Sequence, residues 1–210
     1  MFIITIDGNI GSGKTTILNY LHNNYNINID LEPIDKWKPF LDNIYYNKKN
    51  YFNFQIRVWL DRSWIQERDN NSTIIMERSP FFIRNTFNKY IYDNKLISFE
   101  ENNIINEFYD KTDKLWQSSY YIYLRSSPNK CLERILNRGR ENEMNVSIDY
   151  LNEIHELHEI SYNNALNQKM NILCIDIENK SLEDISGIII RYINKKKSYF
   201  SSTELSIQPS

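Results

Sequence analysis

The sequence is short of the features that mark secreted, membrane or polymer-binding proteins. Its two cysteines, Cys131 and Cys174, lie far apart in segments that read as helix and strand. That spacing is no disulfide framework and fits a reducing, cytoplasmic setting. No apolar run approaches the length of a membrane span, and the opening apolar stretch is too short and uncharged for a signal peptide. An excess of one charge is missing as well: 25 Lys and Arg stand against 27 Asp and Glu, and only Lys195, Lys196 and Lys197 form a basic cluster. A nucleic-acid polymer or a membrane is therefore a poor partner, and a small ligand is expected. Repeats and linkers are absent too. With 210 residues and 41% apolar content, the chain is long enough to bury one sizeable core.

Glycine is scarce, at five residues, so its placement is informative. Gly8, Gly11 and Gly13 fall within Gly8-Asn9-Ile10-Gly11-Ser12-Gly13-Lys14-Thr15-Thr16, directly after the apolar run 2–6 and before a helical segment. This is a phosphate-binding loop in its working context. Glycines let backbone N–H groups curl around phosphates, Lys14 reaches the β and γ phosphates, and the Thr15 hydroxyl can hold a magnesium ion. A nucleoside triphosphate, ATP in the first instance, is the expected donor.

Four more strand segments follow, at 27–31, 73–76, 120–124 and 171–177, alternating with helical patterns at 15–24, 51–68, 81–92, 100–117, 129–137, 150–168 and 182–194. The alternation predicts an α/β protein: a P-loop kinase fold with a five-stranded parallel sheet and helices on both faces. Residues 1–197 form the expected domain, and the polar, aperiodic stretch 198–210 reads as a disordered tail. Ligands of open α/β sheets sit beyond the carboxyl ends of the strands, where the phosphate loop, Glu32 and Glu77-Arg78-Ser79 all fall.

Glu32 can accept a proton from a hydroxyl attacking the γ-phosphate, or be a surface acid before the turn at Pro33. Glu77 can meet magnesium through water while Arg78 clamps the transferring group; a buried structural ion pair is the plain alternative. Gln55, Val58 and Arg62 share a helix face, and a glutamine amide offers a donor beside an acceptor, as a nucleobase edge requires. Phe54 and Trp37 supply flat stacking surfaces, although such a set also describes ordinary core packing. Arg134 and Arg138 share a face, Gly139 permits a sharp turn and Arg140 follows, which reads as a phosphate-closing arginine lid or a solvated helix end. His155 and His158 lack the His-Glu-x-x-His spacing of a zinc site and read as a helix face.

In order and type these pieces resemble the deoxyribonucleoside kinase family, which includes deoxycytidine, deoxyguanosine, mitochondrial thymidine and insect multisubstrate kinases. The likeness runs from Ile3 to about Asn194. It rests on Gly-Asn-Ile-Gly-Ser-Gly-Lys-Thr-Thr at 8–16, Glu-Pro-Ile at 32–34 with Trp37, Phe54-Gln55, Glu-Arg-Ser at 77–79 and Tyr-Leu-Arg at 123–125. Arg134 with Arg-Gly-Arg at 138–140, and the helix carrying Tyr150, His155 and His158-Glu159, complete it.

The resemblance implies Glu32 as general base for the sugar 5′-hydroxyl, Arg78 holding that oxygen and Glu32, and Glu77 serving the magnesium site or acting as a proton acceptor. It implies Gln55 pairing with the base between Trp37, Phe54 and Phe87, and Tyr45 or Tyr46 with Glu143 on the sugar 3′-hydroxyl. Arg134, Arg138 and Arg140 would form the lid, and the protein would be a homodimer. In deoxycytidine-preferring members the counterpart of Arg62 works beside an aspartate that would fall at Ile83, and here that carboxylate is missing. A broad or thymidine-accepting salvage enzyme is expected. The rivals are a nucleoside monophosphate kinase such as thymidylate kinase, whose acceptor phosphate Glu32 would repel, and a nucleotide-dependent switch.

Overall fold

Parallel strands cannot be joined by a tight turn, so each apolar run returns through a helix before the next one pairs. The computed structural model describes residues 2–63, 73–116, 119–140, 143 and 145–204, with the side chains of Phe2, Tyr45 and 197–204 outside that description. Its strands are β1 (Phe2–Asp7), β2 (Asn28–Asp30), β3 (Thr73–Glu77), β4 (Tyr120–Arg125) and β5 (Ile172–Asp176). They pair in the order β2-β3-β1-β4-β5, all parallel, as the alternation predicts.

The helices are α1 (Lys14–Tyr25), α2 (Ile34–Asn47), α3 (Tyr51–Arg62), α4 (Pro80–Ile83), α5 (Lys89–Asp93), α6 (Phe99–Thr112), α7 (Pro128–Arg138), α8 (Ile148–Asn167) and α9 (Leu182–Glu204). On one face of the sheet, Ile4, Ile6, Ile75, Ile122 and Leu124 pack against Ile17, Leu18 and Leu21 of α1 and Ile185, Ile189 and Ile193 of α9. Each such side chain contributes about 1.5–3 kcal/mol by leaving water. On the other face, Tyr121 and Tyr123 of β4 meet Phe81 and Phe82 of α4. Helices therefore cover both faces. A second cluster, with Trp37, Val58, Ile83, Ile91, Ile105 and Tyr109 at its centre, joins α2, α3 and the α4 to α6 segment beside the sheet.

Three elements differ from the sequence expectation. The α2 helix has no predicted counterpart, because Pro33 precedes it and Pro39 lies inside it, and proline ordinarily marks a helix boundary. The expected helix 81–92 is split by a π-helical turn, Arg84–Asn88, an extra-residue bulge of the kind that clusters at functional sites. The last helix runs past 194 to Glu204, so 198–204, assigned to the tail from the pattern, continue α9. Ile193 is its last buried apolar residue among those described, which is why the apolar period stops before the helix does. Of the expected helix 51–68, the part beyond Ser63 lies outside the described residues, as do 205–210.

Candidate active site

The site is built on the carboxyl ends of β1, β2 and β3. Asp7 closes β1, fully buried; its carboxylate accepts hydrogen bonds from the Ser79 backbone N–H at 2.8 Å and the Thr5 hydroxyl at 3.0 Å. Burial pushes its pKa up to about 6 against the lowering effect of those bonds. The phosphate loop begins there. Gly11 has φ +79°, and a Cβ on it would sit 2.4 Å from the Cys131 carbonyl oxygen, so only glycine fits. Asn9 anchors the loop to α8 by donating from Nδ2 to the Leu151 carbonyl at 2.9 Å.

Lys14 lies buried at the start of α1, its ammonium donating to the carbonyls of Gly8 at 3.2 Å and Asn9 at 2.9 Å. Desolvation, followed by the charge of Arg78, lowers its pKa to about 8. Thr15 Oγ1 donates to Glu77 Oε1 at 2.7 Å. Among the described residues no three His, Cys, Asp or Glu side chains cluster as a metal site. Thr15 and Glu77 thus offer two oxygen ligands side by side, a set that suits a magnesium ion completing its shell with nucleotide phosphates and water.

Arg78 occupies the centre. Its backbone is left-handed, φ +63°, a strained state for a residue with a side chain, costing about 1–2 kcal/mol. Several contacts hold it there. Its N–H donates to Ile6 O at 2.9 Å, Nε pairs with Glu32 Oε1 at 2.6 Å, and Nη1 donates to Gly8 O at 3.0 Å. The guanidinium carbon also lies 4.4 Å from the centroid of the Phe87 ring, which the π-helical turn presents. Arg78 thereby links the acid after β2 to the phosphate loop.

A cavity of about 340 Å³ opens over these groups. Of the residues expected to bind, Ile10, Gly11, Gly13, Lys14, Thr15 and Thr16 line one part, and Glu32, Glu77 and Arg78 line it too. Trp37, Phe54, Gln55, Val58 and Phe87, the residues expected to form a base wall, line it as well, as do Arg138, Arg140 and Glu143. Trp37 is fixed by an indole N–H bond to Asp61 at 2.8 Å and meets the Phe54 ring edge to face, centroids 5.7 Å apart. Gln55 is buried, and its Oε1 has no hydrogen-bond partner. A buried acceptor left open on a cavity wall points to a ligand donor.

Other expectations are corrected. Gly8, Asn9 and Ser12 shape the loop from behind without lining the cavity. Arg62 does not reach the base wall: it is 4% exposed, ion-paired to Asp30 Oδ1 at 3.0 Å and bonded to the Glu77 carbonyl at 3.1 Å. Arg134 donates to Ser126 Oγ at 3.1 Å, away from the cavity, so the lid arginines present at its rim are Arg138 and Arg140. Both pair with Glu143, whose carboxylate therefore faces the lid cations rather than standing free for a sugar. The Tyr45 side chain lies outside the described residues and Tyr46 is exposed, whereas Tyr51 lines the cavity.

Tyr51, Lys48, Tyr90 and Tyr150 are lining residues that the sequence reading missed. A tyrosine at the start of α3, one turn before Gln55, was the available signal for Tyr51. His158, read as part of a helix face, is fully buried. It stacks on Phe82 and Tyr123, donates from Nδ1 to the Ile154 carbonyl, and burial lowers its pKa to about 3. At neutral pH it is an uncharged core group.

A lysine in a glycine loop, a hydroxyl and carboxylate placed for magnesium, and a strand-end acid across one cavity define a phosphotransferase of the P-loop kinase class. The chain belongs to the deoxynucleoside kinase family, whose profile matches residues 4–198, and its reaction is phosphoryl transfer from ATP to a deoxynucleoside. It is similar to a fowlpox virus protein described as a probable deoxycytidine kinase, 35% identical over 86% of this chain and 81% of that one. It is also similar to human mitochondrial thymidine kinase 2, 26% identical over 75% of this chain and 63% of that one. Among solved structures, a deoxyadenosine kinase of M. mycoides with bound dCTP superposes with a TM-score of 0.78. That match is 26% identical and covers 92% of this chain and all of the other.

Proposed function

We propose that the protein transfers the γ-phosphoryl group of ATP to the 5′-hydroxyl of a deoxynucleoside, with Glu32 as general base, in nucleotide salvage. The observation that carries this reading is that Glu32, Arg78, Lys14 and Thr15 line one cavity, with Arg78 paired to Glu32. A hydroxyl entering that cavity meets a carboxylate able to take its proton as attack on phosphorus proceeds. Arg78 keeps the carboxylate oriented and supplies positive charge beside the oxygen that attacks. Lys14 turns from its two loop carbonyls to the β and γ phosphates, and Arg138 and Arg140 offset charge on the transferring group. Thr15 and Glu77 would hold a magnesium ion, which would supply positive charge to offset that of the phosphates.

The base lies between Trp37, Phe54 and Phe87 and pairs with Gln55, while Tyr51 serves the sugar and Glu143 holds the lid arginines. An apolar wall of Val58 and Ile83 supports a broad or thymidine-accepting preference. The Glu32 carboxylate counts against a monophosphate acceptor, whose charge it would repel. The protein is a homodimer in this reading, as the family resemblance implies. The test is a competition: the four deoxynucleosides at equal concentration with ATP and magnesium, beside a parallel reaction offered thymidylate alone, products separated by chromatography. Formation of deoxynucleoside 5′-monophosphates and ADP in equal amounts is expected. Phosphorylation of thymidylate with no phosphorylation of thymidine would overturn the proposal.

A further inference from the structure

Gln55, Val58 and Arg62 follow one another along the same face of α3, yet only Gln55 and Val58 line the cavity. Arg62 is occupied elsewhere. Its Nη2 is 3.0 Å from Asp30 Oδ1, its Nη1 is 3.1 Å from the Glu77 carbonyl oxygen and 3.4 Å from that of Asp30, and Nε donates to the Asp61 carbonyl at 3.1 Å. These acceptors sit at the ends of β2 and β3 and on α3 itself. Arg62 is thereby drawn toward the sheet, and Ile83 and Val58 line the cavity with Gln55 in its stead.

The Gln55 amide is the informative neighbour. Its Oε1 is buried and unpartnered, so no protein group fixes that oxygen. An amide can present its acceptor and donor in either order by a half-turn about its last torsion. One order satisfies a base edge with a ring N–H beside a carbonyl, as in thymine. The other satisfies a ring nitrogen beside an amino group, as in cytosine. A guanidinium reaching the same wall would end that freedom, because it carries donors only. It would either hold Oε1 or demand a carbonyl oxygen from the base.

We infer that Asp30 is a specificity-determining residue: by holding Arg62 against the β2 and β3 ends it keeps a fixed cation off the base wall. The wall then takes both oxo and amino pyrimidines. Asp30 touches no substrate and acts through Arg62. The inference rests on the deoxynucleoside reading above, and it names the substrate class of that same site.

The experiment compares kcat/KM for thymidine and deoxycytidine in wild type, Asp30→Asn, Arg62→Met and the double variant, with nucleoside Kd read from tryptophan fluorescence and folding checked by thermal melting. The wild type is expected to phosphorylate both nucleosides. Asp30→Asn frees Arg62 and raises the thymidine to deoxycytidine ratio by at least about fivefold, the lower end of what one specific base contact confers. Arg62→Met alone stays within about twofold of the wild-type ratio, and the double variant returns to it. Equal loss on both nucleosides in Asp30→Asn would reduce Asp30 to a structural pin and overturn the inference. Should Asp30→Asn fail to fold, Arg62→Met still decides: a changed base ratio in that variant shows that Arg62 already reads the base. Wild-type protein that binds and phosphorylates no deoxynucleoside overturns the function itself, a result distinct from either.

Discussion

In the proposed reaction Glu32 takes the proton that leaves the acceptor hydroxyl, and its pairing with Arg78 at 2.6 Å fixes where it points. Glutamine keeps the shape and a hydrogen-bonding oxygen but cannot take the proton. Glu32→Gln should therefore lower kcat by at least about a hundredfold while the nucleoside Kd changes by less than about threefold. Steady-state kinetics with calorimetric binding checks this, and near-normal turnover would remove Glu32 as the base. In the same reading Lys14 carries the pH dependence of donor binding. Its folded pKa of about 8 lies below the ordinary 10.5, so it is charged below pH 8 and loses its attraction for phosphate above it. The KM for ATP is expected to stay level from pH 6.5 to 7.5 and to climb above 8, by up to about tenfold per pH unit. The same shift makes the unfolded chain bind the proton more tightly between about 8 and 10.5, so this group's contribution to stability rises with pH across that window. A KM that is flat to pH 9.5 would show that Lys14 stays charged in the free protein.

Among elements, the phosphate loop was the most legible in the sequence, because so few glycines exist that three in one short stretch carry a clear message. The strands were legible because β-branched and aromatic runs bury on both faces of a parallel sheet. The α2 helix was hidden by its prolines, and the π-helical turn by the fact that one added residue leaves the apolar pattern almost unchanged. Arg62 shows the limit for side chains. Its helix face was readable from spacing, but its partner Asp30 comes from another element, and sequence periodicity does not encode which acid a cation will meet. Tyr51 was missed for a related reason: spacing identifies a helix start, whereas the cavity around it is made by α2 and the π-helical turn. The loop also yields a direct test. Gly11→Ala puts a methyl group against the Cys131 carbonyl in a left-handed backbone. ATP affinity should fall at least about tenfold, with the sheet still folded by circular dichroism. Unchanged ATP binding would mean that the loop and α7 are not in the close contact described.

At the scale of the molecule, one sheet carries two differently built flanks. The face under α1 and α9 is mostly aliphatic, while the flank of α2, α3 and α6 mixes aliphatic with aromatic side chains, and its α2 and α3 residues line the cavity. On α3 and α6, joined by the stacked Trp59 and Phe108 rings, Leu60 and Ile104 are exposed. For the proposed homodimer with these two helices as its contact, Leu60→Glu with Ile104→Glu should shift the sedimentation coefficient from dimer to monomer at micromolar concentration. A dimer unchanged by the pair would place the contact elsewhere. No described helix is long and apolar enough to cross a membrane.

Asp7 draws these scales together. It lies at the tip of β1, where the donor's cradle starts, yet its bond to the Ser79 amide reaches the tip of β3, from which the acceptor's clamp hangs. One buried clasp therefore fastens both workbenches to the same pair of central strands. Slack introduced there would be felt by ATP and nucleoside together, and the distance between phosphorus and attacking oxygen would lose its gauge.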